Sequence, residues 1–302
     1  MRRENTETIV ETKNLTKRFG DKVAVNNVSM HIERGDIYGF IGKNGAGKTS
    51  TMKLLLGMSY PTSGDIQLFG SNQLDKMRIK IGSLIEAPGL YKNCTAYENL
   101  KRYSLIFGGS NKEIKEILEI VGLGNTGNKK AGAFSLGMRQ RLGIAIALLG
   151  NPELLILDEP INGLDPAGIK EIRDLILRLN KERKITVLVS SHLLDELSKI
   201  VTKYGIINNG HLVEEISAAE LAHRCRKNLS IECDNVREAL LQIKKLYPFA
   251  ECDVKGNTIM IYSDIENKSS LNKLLVNAGV GISKFAEEQS GFEDYFIERI
   301  GV

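Results

Sequence analysis

The stretch GKNGAGKTS, residues 42–50, has the spacing GxxxxGK[ST], which grips phosphate. Gly42, Gly45 and Gly47, with Asn44 and Ala46 between them, let the backbone curl until its N–H groups face one anion. Lys48 adds a mobile positive charge for the outer phosphates of a nucleotide, Thr49 offers a hydroxyl to Mg²⁺, and Ser50 closes the stretch. An apolar run, IYGFIG, precedes the loop and a helical pattern follows it, the setting this spacing needs. Downstream, LLILDEP (154–160) reads as a buried strand ending in two acids. Asp158 emerges at the carboxyl end of that strand, where α/β folds bind ligands, and can hold the water shell of Mg²⁺. Glu159 is one carboxylate more than the metal needs and is placed to polarise an attacking water as general base. His192 leaves a further apolar run, ITVLVSS (185–191), beside the same edge and can reach a terminal phosphate as a hydrogen-bond partner. Alone, each has a bland reading: a glycine turn, a solvated acid pair, a capping histidine. Together they argue for hydrolysis of a bound nucleotide.

A second grip stands in AFSLGMRQRLGIAIALLG, residues 133–150. Ser135 and Gly137 lie at the head of an apolar helix, followed by two arginines, and a helix start with small residues and exposed N–H groups is a ready anion site. One nucleotide in one chain does not need both.

These residues require a parallel sheet to present them. β-like runs at residues 7–19, 23–32 and 36–42 come first, then a helix after Gly47 and a further β-like run, GDIQLFG. From about 88 to 150 the texture is helical: AYENLKRYSLIFG, NKEIKEILEIVGL and RQRLGIAIALLG. The runs ELLILD and ITVLVSS flank the helix GIKEIRDLILRLNK, a parallel βαβ unit. After about residue 223 the pattern restarts as strand, helix, strand, strand, helix, strand, which fits a small ferredoxin-like unit, and a last helix, GFEDYFIERI, follows. The expected organisation is a nucleotide-binding domain over 1–222 and an α+β accessory domain over 223–302.

The 302 residues carry a net charge of +4 with lysines and arginines dispersed, so nothing points to nucleic acid. No run approaches the roughly 18 apolar residues of a membrane helix. The opening MRRENTETIV has no apolar core of a secretory signal, and Cys94, Cys225, Cys233 and Cys252 lack metal-ligand spacing; free thiols in a reducing cytosol are expected.

Taken together, the motifs resemble the nucleotide-binding subunit of an ATP-binding cassette (ABC) transporter over about residues 8–222. GKNGAGKT resembles Walker A, LLILDE resembles Walker B with its glutamate, NGLDP (162–166, with Asp165) the D-loop, SSHLLDE the switch with His192, and FSLGM (134–138) the signature motif. The resemblance implies a P-loop α/β core with a mixed sheet, an antiparallel β subdomain and a helical subdomain. It implies ATP and Mg²⁺ as ligands, with Phe19 stacking on the adenine, for which any π face serves. It also implies head-to-tail pairing of two such subunits, a homodimer first, with Ser135 and the Gly137 N–H touching the partner's nucleotide. That gives the second grip its purpose. Leu136 and Met138 depart from the family's usual glycine and glutamine. Glu86, in IGSLIEAPGLY, stands where the family's Q-loop glutamine does; it can approach Mg²⁺ but adds negative charge near the phosphates.

The variant motifs are most similar to the branch serving bacitracin and lantibiotic-like peptides. The resemblance implies an integral membrane permease on a separate chain, docked by the 88–150 segment and holding this subunit at the cytoplasmic side of the cell membrane. A soluble single-cassette ATPase acting on a non-membrane partner is the alternative. A phosphotransferase has no use for FSLGM or NGLDP, and a non-catalytic sensor none for Lys48, Glu159 and His192.

Overall fold

The computed structural model describes residues 7–263, 265–288 and 291–300 and divides the chain into two units, 1–218 with 299–302, and 219–298. The division falls at 218/219, a few residues ahead of the 222/223 boundary expected above, because the short helix Ala218–Arg224 goes with the second unit from its second residue onward.

The first unit is built on a six-stranded sheet. Its order across the sheet is His211–Ser217, Lys203–Asn208, Ile37–Ile41, Thr186–Ser191, Leu154–Leu157 and Ile81–Leu84. All neighbours pair in parallel except the hairpin Lys203–Asn208 with His211–Ser217. Three of the parallel strands, Ile37–Ile41, Leu154–Leu157 and Thr186–Ser191, are buried at every residue, which is why they read as continuous apolar runs rather than alternating ones. A second, antiparallel sheet joins Thr8–Phe19, Lys22–Val28, His31–Glu33 and Ser63–Leu68. Ile9, Val25 and Met30 of this layer share one core with Phe40, Met52, Ile156 and Leu188. The mixed core sheet with its antiparallel companion is the architecture expected from the motifs.

The helical segment holds Ala96–Phe107, Asn111–Ile120 and Leu136–Ala147. The first has a reciprocal cap: the Thr95 hydroxyl accepts from the Glu98 amide and the Glu98 carboxylate accepts from the Thr95 amide. The third packs hard on strand Ile81–Leu84, where a Cβ on Gly82 would lie 1.9 Å from the Ala147 carbonyl oxygen. Only glycine allows that approach.

The second unit is a four-stranded antiparallel sheet ordered Cys252–Lys255, Thr258–Ile261, Asn228–Cys233, Ile282–Glu288, with helices Val236–Leu246 and Lys268–Asn277 packed on one core with it. Strand, helix, strand, strand, helix, strand in this order is the ferredoxin-like arrangement. Among the described residues no helix is long and apolar enough to cross a membrane.

Candidate functional site

The parallel strands deliver their chemistry at one carboxyl edge. Strand Ile37–Ile41 runs into the loop 42–47, and helix Lys48–Leu55 starts directly after it. The loop's tightness has steric causes. A Cβ on Gly42 would come within 2.4 Å of the Ile207 carbonyl, and one on Gly47 within 2.6 Å of the Ala24 carbonyl; Gly45 and Gly47 also take φ of +82° and +112°. The N–H groups of Gly45, Gly47, Lys48 and Thr49 find no acceptor among the described residues. Four donors at the start of a helix, partly charged by its dipole, form an anion nest. The Lys48 ammonium is folded back over this nest: it donates to the Gly42 carbonyl at 2.6 Å and is itself only 6% exposed.

Asp158 is 4% exposed and held from three sides. Its amide donates to the Leu84 carbonyl at 2.8 Å, the Thr49 hydroxyl donates to its Oδ2 at 2.7 Å, and the Ser190 hydroxyl donates to its Oδ1 at 2.6 Å. Glu159 adopts a left-handed backbone, φ 48°, uncommon for a residue with a side chain. Its amide donates to Ser190 Oγ at 2.8 Å, and its Oε2 lies 2.8 Å from His192 Nδ1. Lys48 Nζ stands 3.2 Å from Glu159 Oε1, an ion contact without hydrogen-bond alignment, so this buried oxygen has no hydrogen-bond partner.

The geometry therefore joins Lys48, Thr49, Asp158, Glu159 and His192 into one cluster. Ser190 belongs with them although its type and position alone did not single it out. Its signal was the pair of serines ending the buried run ITVLVSS, because buried hydroxyls must find partners.

Other candidates stand apart. Glu86, also left-handed at φ 59°, pairs with Lys53 at 2.6 Å and is 66% exposed, rather than joining Thr49 and Asp158. Phe19 ends its strand 54% exposed, with the Lys17 ammonium 4.9 Å from the ring centroid. Asp165 caps helix Pro166–Arg183, its Oδ1 accepting from the Gly168 amide at 3.1 Å. Ser135 caps helix Leu136–Ala147 by accepting from the Met138 amide at 3.2 Å. Among the described residues the Gly137 N–H beside it has no acceptor, and no hydrogen bond links Ser135 or Gly137 to residues 42–50.

The residues fit Mg-ATP: a nest of donors without acceptors among the described residues, a lysine over it, a hydroxyl and a carboxylate in register for a hard cation, and a carboxylate oxygen without a hydrogen bond for a water. Fold and cluster define a P-loop nucleotide hydrolase. The model of the ABC transporter family matches residues 25–162. The bacitracin transport ATP-binding protein BcrA of Bacillus licheniformis is 46% identical over 299 residues, covering 97% of this chain and 98% of that protein. The lantibiotic transport ATP-binding protein SrtF of Streptococcus pyogenes is 45% identical over 207 residues, 68% of this chain and 90% of that one. A dimeric post-hydrolysis structure of the ATP-binding cassette MJ0796 bound to ADP and Pi is 27% identical with a TM-score of 0.63, covering 70% of this chain and 99% of that one. The chain belongs to the ATP-binding proteins of ABC transporters, and it is an ATPase.

Proposed function

We propose that this chain powers export of, or immunity to, a peptide antibiotic or similar amphiphile through a permease carried on another chain. In this reading it sits on the cytoplasmic side of the cell membrane, held there by that permease, and two copies sandwich ATP between the Walker A loop of one and the Ser135 helix of the other. The near full-length likeness to a bacitracin transport ATP-binding protein supports the branch. One observation carries the sandwich: the Ser135 helix presents a Gly137 N–H with no acceptor among the described residues and an exposed hydroxyl that nothing in its own chain's nucleotide loop meets.

In the proposed reaction the nest 42–49 and Lys48 bind and orient the phosphates, and Phe19 stacks on the base. Thr49 and Asp158 would hold Mg²⁺, which when bound neutralises charge on the phosphates. Glu159 takes the proton of the attacking water through Oε1, the oxygen that makes no hydrogen bond, as the water oxygen bonds the terminal phosphorus and the bond to the leaving ADP breaks. His192 fixes the other oxygen, so the carboxylate cannot rotate away from the water. Glu159→Gln is expected to bind ATP and fail to turn it over, whereas Lys48→Ala weakens binding itself.

The test of the sandwich is size-exclusion chromatography of Glu159→Gln with and without Mg-ATP, repeated with Ser135→Arg added. An ATP-dependent dimer abolished by the second change is the expected result. Equal dimerisation of both variants would remove Ser135 from the nucleotide contact.

A further inference from the structure

Two rungs tie the phosphate-loop helix to the edge of the sheet. Thr49 and Lys53 lie one turn apart on Lys48–Leu55 and so share a face. Thr49 reaches Asp158 at 2.7 Å, and Lys53 reaches Glu86 at 2.6 Å. The segments that carry the two acids leave neighbouring strands. Strands Ile81–Leu84 and Leu154–Leu157 pair side by side, the Asp158 amide bonds the Leu84 carbonyl at 2.8 Å, and Glu86 lies two residues beyond Leu84. The left-handed backbone at Glu86, φ 59°, is a conformation that a side-chain-bearing residue keeps only when its surroundings hold it.

The charges explain what the second rung does. Asp158 and Glu159 follow one strand at the edge that would face a polyanionic nucleotide, and Glu86 adds a third carboxylate outside their hydrogen-bonded cluster, on the Lys53 side of the phosphate-loop helix. Glu159 has Lys48 at 3.2 Å, and among the described residues the Asp158 carboxylate accepts from the neutral hydroxyls of Thr49 and Ser190. Lys53 is the cation on Glu86. As an isolated surface pair it would contribute almost nothing to stability. Beside a triphosphate the same pair governs how much negative charge the nucleotide meets.

We propose that Lys53 is a positioning residue of the nucleotide site: it holds the Glu86 carboxylate against the phosphate-loop helix and neutralises it, which lets an acid stand where a neutral side chain would otherwise be needed. This rests on the reading of residues 42–50 and 86 as the nucleotide site.

The experiment measures equilibrium binding of mant-ATP with Mg²⁺ to the full-length protein, at low and at high salt. Lys53→Met is expected to weaken binding roughly three- to tenfold at low salt, the size of one uncompensated charge at partly screened range, and by less at high salt. Lys53→Arg keeps the charge and binds as the parent does. The double variant Lys53→Met/Glu86→Gln returns to within about twofold of Glu86→Gln alone, because the charge that Lys53 answered is gone. A Lys53→Met defect of equal size in the parent and in the Glu86→Gln background would overturn the proposal and leave Lys53 a mere helix residue. Unaltered binding by Lys53→Met would overturn it as well. Failure of the underlying reading looks different: Lys48→Ala would then bind the nucleotide as tightly as the parent.

Discussion

Asp158 and Glu159 are adjacent in sequence and opposite in circumstance. Asp158 is saturated by Leu84, Thr49 and Ser190, whereas one oxygen of Glu159 is buried without a hydrogen bond. Ser190 makes that difference, donating to one acid and accepting from the amide of the next. Ser190→Ala should therefore leave an Asp158 oxygen and the Glu159 amide unpaired, at a cost of about 1–3 kcal/mol. With Asp158 as the proposed Mg²⁺ ligand, it should also lower turnover roughly 10–100-fold, the cost of losing a group that orients such a ligand. Thermal unfolding and steady-state ATPase measurements check the two parts; unaltered turnover would show that the left-handed turn at Glu159 holds without the hydroxyl. At this scale the cluster was largely legible. Lys48, Thr49, Asp158, Glu159 and His192 are set by spacing along single elements that end at one edge. Ser190 and the Lys53–Glu86 pair were not, because each depends on a contact between residues more than thirty positions apart.

Helix Leu136–Ala147 begins at a residue whose cap and whose proposed phosphate contact must be told apart. Ser135 caps it, so a defect in Ser135→Ala would mix a lost cap, worth about 1 kcal/mol, with a lost phosphate contact. Ser135→Asp separates them. Aspartate caps as well as serine, so the unfolding midpoint should stay near the parent's, while a carboxylate facing the partner's phosphates should abolish the ATP-dependent dimer in the Glu159→Gln background. Calorimetry and size-exclusion chromatography of that variant decide it; a dimer as stable as with serine would mean that no phosphate lies there. The long helices and the buried strands were legible from period and run length. Strand Ile81–Leu84 was not, since four residues including the close-packed Gly82 give no alternation to read, and it is this strand that presents Glu86. The hairpin Lys203–Asn208 with His211–Ser217 carries a signal that periodicity passes over: Asn209 and Gly210 both take positive φ, 48° and 81°, the chemistry of a two-residue hairpin turn.

The whole chain joins a catalytic unit to a ferredoxin-like one that has an apolar core of its own and a cluster of paired charges on its surface. Glu251 accepts from Arg226 and faces His223, and these hydrogen bonds, Arg226 first, hold its carboxyl at about 2 instead of the ordinary 4.5. Arg226 in turn lies 3.9 Å from the Tyr262 ring centroid, so the cluster joins the start of the unit to the end of strand Thr258–Ile261. Glu287 and Glu288 are also lowered, by Lys268 with Lys227 and by Lys284 respectively. For an acid whose folded pKa is depressed, the folded state binds its proton less readily than the unfolded chain does. The stabilisation is therefore complete above the unfolded value near 4.5 and fades as pH falls toward 2. Hydrogen exchange followed on peptides from 219–298 in the full chain reads this unit separately from the catalytic one. Glu251→Gln should speed exchange there relative to the parent at neutral pH, and the ratio of variant to parent should shrink toward one between about 4.5 and 2, the window of the carboxyl's own shift. A ratio that stays constant across that window would mean that the glutamate acts through shape rather than charge.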